Sequence, residues 1–123
     1  MLVIRDASGS PVLTFTPAVV GVLNYLERIA LPETAQVTVM LADVSQADVL
    51  APTIGKTVMK APAGPPIPFV VTYNLNDIDP QRSYVIQARI EDADGALLFT
   101  TDTAYPVITH DSPSYVEVTL VQP

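Results

Sequence analysis

The 123-residue chain has no cysteine and no tryptophan, one histidine and six basic residues. Without cysteine it holds no disulfide, thiol nucleophile, zinc–thiolate site or lipid-acceptor cysteine within this sequence. Without tryptophan it lacks the side chain best suited to stacking on sugar rings, which weakens a glycan-binding reading. The bases Arg5, Arg28, Lys56, Lys60, Arg82 and Arg89 are scattered among thirteen acids, for a net charge of −7. A phosphate-backbone binder needs a clustered positive surface, so nucleic acid is excluded as a main partner. Anionic lipid headgroups are an equally poor match. No apolar run approaches the roughly 20 residues that cross a bilayer as a helix. The long uncharged stretch from Ala7 to Leu26 is interrupted by Gly9, Pro11, Pro17 and Gly21, and no basic segment leads into it, so it is not a signal peptide.

What is present is a globular composition, 49% apolar, at a length that suits one domain and buries roughly two-thirds of its unfolded surface. Short runs of period-two alternation, separated by proline and Asp/Asn turns, dominate the chain. Val37, Val39 and Leu41 share one face of a strand over 36–44, with Thr38, Met40 and Ala42 on the other. A second strand spans 67–75, with Ile67, Phe69, Val71, Tyr73 and Leu75 on one face. In the clearest strand, 84–91, Tyr84, Ile86, Ala88 and Ile90 face one way and Gln87, Arg89 and Glu91 the other. Asp94-Gly95 is the strongest hairpin signal, and Leu97, Phe99 and Thr101 continue the pattern behind it. The last strand, 115–121, turns Val116, Val118 and Leu120 inward. Weaker strands are expected at 19–27, 54–60 and 105–109, and a short helical turn at 45–50.

The expected fold is therefore all-β: a two-sheet antiparallel β-sandwich of about seven to eight strands, with Greek-key, immunoglobulin-like or prealbumin-like connections. Residues 1–17 are read as an N-terminal arm or extra hairpin (Leu2–Ile4, a turn over 6–11, Val12–Phe15), and 18–123 as the single sandwich domain. The expected core comprises Val39, Leu41, Phe69, Tyr84, Ile86, Ala88, Ile90, Leu97 and Phe99.

No constellation in the chain carries catalysis, a cofactor or a metal. His110, Asp111 and Ser112 contain the residue types of a nucleophilic relay, but neighbours on an extended chain point in opposite directions; a polar turn before the last strand fits better. Glu91-Asp92-Ala93-Asp94-Gly95 begins like a calcium loop, yet a strand stands where the later ligands belong. Asn76-Asp77-Ile78-Asp79-Pro80 is accounted for by Asx turns. Arg89, mid-strand among small and apolar neighbours, is read as half of a structural ion pair.

Beyond these patterns, the chain resembles a known family. Arg28-Ile29-Ala30-Leu31-Pro32 and Val39-Met40-Leu41-Ala42-Asp43-Val44-Ser45-Gln46-Ala47-Asp48 resemble the opening of YbaY/YscW-type envelope lipoprotein domains, which include type III secretion pilotins. The likeness continues through Pro66-Ile67-Pro68-Phe69, Tyr84-Val85-Ile86-Gln87-Ala88-Arg89-Ile90, Gly95-Ala96-Leu97-Leu98-Phe99-Thr100-Thr101-Asp102 and Tyr105-Pro106-Val107-Ile108-Thr109, in order, over roughly 19–121. The resemblance implies a sandwich on the outer face of a membrane, periplasmic or extracellular, usually tethered through a lipidated cysteine. That cysteine has no counterpart within this sequence, and the arm lies outside the matched region. The resemblance also implies a non-catalytic accessory domain that assists assembly or localisation of an outer-membrane or secretion protein, as pilotins do for secretin subunits. The expected partner is thus a protein of the envelope, with membrane contact only through an anchor outside this sequence; a homodimer stays open. A glycan- or polysaccharide-associated module is the alternative. The family-like motifs place Asp43 and Asp102 on strands, which makes them the candidate partners of Arg89.

Overall fold

The computed structural model describes residues 2–5, 11–14, 16–46 and 50–123. Strands β1 (Leu2–Arg5) and β2 (Pro11–Thr14) pair antiparallel, Leu2 opposite Thr14, as a two-stranded sheet of their own. The turn expected over 6–11 lies largely outside the described residues, as does the centre of the helical turn expected at 45–50. The sandwich follows, in eight strands: β3 (Ala18–Tyr25), β4 (Gln36–Asp43), β5 (Thr53–Lys60), β6 (Ile67–Thr72), β7 (Tyr84–Glu91), β8 (Leu97–Thr100), β9 (Tyr105–Val107) and β10 (Tyr115–Leu120). One sheet is ordered β10-β3-β6; the other is β5-β4-β7-β8, with β9 pairing β7 beyond β8.

Alternation sets which face is buried. Along β6, Ile67, Phe69 and Val71 point into the core while Pro68, Val70 and Thr72 are exposed, the period that a half-buried strand imposes. β6 ends at Thr72 rather than at 75, because the Asn74 side chain accepts a hydrogen bond from the Asn76 amide and starts a 3-10 turn at Leu75–Asp77. The Asx bond offers the backbone an alternative to the ladder, and the strand stops.

Pairing is antiparallel throughout the sandwich except between β3 and β10, which run parallel with Tyr115 opposite Val20. Gly21 permits this. A Cβ there would lie 1.9 Å from the Val116 carbonyl oxygen and 2.9 Å from the Phe69 ring, so only glycine admits both neighbours. Between the sheets, Val19, Leu23, Val71, Val118 and Leu120 meet Val37, Val39, Leu41, Ile86, Ile90 and Phe99, all essentially sealed from water. Tyr25 stacks on Phe99 across the gap, ring centroids 4.2 Å apart, and its hydroxyl donates to the Ile29 carbonyl.

One core expectation needs correction. Phe69, Tyr84, Ile86, Ala88, Ile90 and Phe99 are buried, but Leu97 is 40% exposed. The hairpin turns through Asp92–Gly95, with Gly95 at φ +83° donating its amide to the Asp92 carbonyl. A bulge follows: Ile90 faces Phe99, yet Glu91 faces Leu97. The extra residue, Leu98, reverses the alternation, so Leu97 falls on the outer face.

Candidate functional site

A β-sandwich offers partners its faces and strand edges. The edges differ sharply here. On one side the two sheets are tied together. Thr100 and Val121 exchange both backbone hydrogen bonds, each 2.9 Å. The Tyr105 hydroxyl accepts from the Thr119 amide at 3.0 Å and donates to the Thr119 carbonyl at 3.1 Å. The outward groups of β10 at Thr119 and Val121 are therefore satisfied. Pro106 in β9 sits opposite Val85, at a position whose amide points away from β7, so its missing donor costs the ladder nothing.

Among the described residues the opposite side, β5 and β6, is open. The Ala61 amide donates to the Ala35 carbonyl, and the register Val37–Met59, Val39–Thr57 and Leu41–Gly55 continues that set. Alternate residues of a strand turn their amides to opposite sides, so Lys56, Val58 and Lys60 direct theirs away from β4. On β6, the Tyr73 amide donates to the Pro17 carbonyl, which by the same parity leaves Pro68, Val70 and Thr72 facing outward. The edges touch at one end: a Cβ on Gly55 would lie 2.5 Å from the Thr72 carbonyl oxygen.

One cluster of ionisable groups gathers at loops. Asp43, 7% exposed, accepts from the Ser45 amide and from Arg82 Nη1, both at 3.0 Å. Hydrogen bonding from Ser45, aided by the Arg82 guanidinium, holds its carboxyl below the usual carboxylate range against the opposing effect of burial. Ser45 Oγ accepts from the Ser83 amide, and Thr109 Oγ1 donates to the Arg82 carbonyl. These bonds clamp three loops at one end of the sandwich. Arg82 also approaches Asp79 at 3.9 Å. The network is what a structural clamp requires.

The partner expected for Arg89 was Asp43 or Asp102; the structure places Glu91 there, Nε to Oε1 at 2.6 Å. Register explains the difference. Asp43 lies opposite Tyr84, whereas Arg89 lies opposite Thr38, five residues or roughly 17 Å along the strand. Asp102 is exposed beyond the end of β8. Glu91, two residues on, shares the face of Arg89. The Arg82–Asp43 pair escaped the sequence because Arg82 sits in a loop, where no periodicity points to it.

His110 and Asp111 are exposed, with φ of 57° and 64°. Around them the Ile108 amide donates to the Pro113 carbonyl and the Ser112 amide to the Thr109 carbonyl, the bonding of a tight turn. Asp92 Oδ1 accepts from the Asp94 and Ala96 amides, so the hairpin itself occupies that carboxylate. Among the described residues no three His, Cys, Asp or Glu side chains gather as a metal site. A cleft of about 510 Å³ is bordered by Glu33, Gln36, Lys60 and Asp92.

A sandwich closed on one side and, among the described residues, open-edged on the other has the architecture of a binding or accessory domain. The comparisons give that class its family. The family described as type III secretion system lipoprotein chaperone (YscW) matches residues 15–120. The uncharacterized lipoprotein YbaY of Escherichia coli (strain K12) is 34% identical over 106 residues, covering 85% of this chain. The chain spans 55% of the length of that relative. Among solved structures, an alternative pilotin from the type II secretion system of Vibrio cholerae superposes with a TM-score of 0.83 at 39% identity, over 89% of this chain and 98% of that one. The chain belongs to the YscW family of lipoprotein chaperones. Membership associates it with the cell envelope.

Proposed function

We propose that the chain is a non-catalytic accessory domain on the periplasmic side of the envelope, which holds a segment of an outer-membrane or secretion protein during its assembly or localisation. The observation that carries this reading is the asymmetry of the edges. One side spends a tyrosine hydroxyl and a backbone bridge on blocking further pairing, whereas β5 and β6 keep outward backbone groups. The type II pilotin it resembles and the chaperone description of its family support the same reading.

Isothermal titration of the chain against C-terminal segments of secretin subunits tests it, with cell-wall fragments as the rival ligand. The proposal expects saturable binding of a protein segment with a negative heat-capacity change from buried apolar surface. Binding of cell-wall fragments alone would transfer the chain to the glycan-associated class.

A further inference from the structure

We propose that the β5 edge accepts an added strand from a protein partner whose extended segment reads acidic–x–apolar–x–acidic. This rests on the accessory reading above and specifies the segment held.

The three residues with outward amides, Lys56, Val58 and Lys60, also have exposed side chains. A strand added there would place one of its residues directly opposite each of them, on the same face and within cross-strand reach. Two of the chain's six bases thus flank one valine on an edge of a protein with net charge −7. Nothing on β4 neutralises them: Lys56 faces Met40, Val58 faces Thr38 and Lys60 faces Gln36. Among the described residues neither lysine is ion-paired, although Lys60 borders the cleft that includes Glu33 and Asp92.

The edge also has a defined length. The Thr72 carbonyl packs against Gly55, and β5 ends at Lys60, so the outward set available for pairing is Lys56, Val58 and Lys60. The other edges are worse templates. β6 lacks a donor at Pro68, and β10 has used its groups at Thr119 and Val121. Charge also decides the occupant. A second copy paired antiparallel, edge to edge and centred on Val58, would set lysine against lysine, which like charges oppose. An acidic strand meets both lysines favourably, with its apolar residue beside Val58.

The test is a titration of the ¹⁵N-labelled full chain with a peptide whose core is Glu-Thr-Val-Thr-Glu, and with its counterpart Lys-Thr-Val-Thr-Lys. Shift changes and slowed hydrogen exchange are expected at the amides of Lys56, Val58 and Lys60, with the acidic peptide bound about tenfold more tightly. The double variant Lys56→Glu/Lys60→Glu should reverse that preference and keep its melting midpoint, since both side chains are exposed. Perturbations on another face, or a preference unchanged by the double variant, would overturn the proposal. The two readings fail separately. If the folded double variant captures a secretin segment as well as the native chain does, the edge assignment falls and the accessory role stands. If the acidic peptide binds this edge while no secretin segment binds anywhere, the edge stands and the accessory role falls.

Discussion

Replacing Phe99 with alanine empties the centre of the sandwich, because its ring is fully buried and stacks on Tyr25 at 4.2 Å. A buried Phe→Ala change costs about 3–5 kcal/mol, and a stacked aromatic pair adds about 0.5–1.5 kcal/mol beyond area. The upper part of the range, about 4–5 kcal/mol, is expected. A domain of this size has about 5–15 kcal/mol of stability in total. With a urea slope of about 2 kcal/mol/M, the midpoint should fall by about 2 M. Leu97→Ala is the internal control: two residues away on the same strand, it sits on the outer face and 40% exposed, so about 1 kcal/mol or less is expected. Paired urea melts decide the matter. Equal losses in the two variants would show that the bulge at Leu98 does not exist and that both side chains face inward. A wild-type midpoint for Phe99→Ala would refute the packing itself.

Asp43→Asn should cost about 1–3 kcal/mol near neutral pH by weakening the bonds to Ser45 and Arg82. The folded pKa lies below the unfolded value, so the carboxylate's contribution is complete above the unfolded pKa of about 3.9 and vanishes as pH falls through the folded one. The gap between native and variant stability should therefore close in acid, and a gap that widens there contradicts the clamp. Deleting residues 1–17 removes the Pro17 carbonyl that accepts the Tyr73 amide, along with a hairpin rich in apolar residues. A lower melting midpoint and increased light scattering are expected, while an unchanged monomer would reduce the arm to a leader.

The sandwich was legible because alternation is local: each of β4, β6, β7 and β10 carries its own period in its side chains. What the sequence withheld was non-local. The parallel pairing of β10 with β3 depends on Gly21 lying beneath Val116, nearly a hundred residues away in the chain, and no local period reports it. Leu97 was misplaced because alternation presumes an unbroken register, whereas the turn chemistry of Asp92–Gly95 adds a residue. The Arg89 partner was missed for a related reason, since motifs locate strands without giving the offset between them. The edge that defines the proposed site is more hidden still. Its lysines are plain in the sequence, but which way their amides point follows only from hydrogen bonds at Ala61 and Ala35.

The parallel pair also gives the molecule a compass. Because β3 and β10 climb together, the chain enters the sandwich at one pole and leaves it at the other. The pole of arrival carries the Asp43–Arg82 clamp and the turn at His110; the opposite pole carries the Asp92–Gly95 hairpin. Anything that held the domain from upstream of β3 would hang it by the clamped pole, like a lantern from its ring, with the hairpin facing outward. The lysine edge would then run down the flank, parallel to the line of suspension, where a passing chain could lie alongside without crossing the tether.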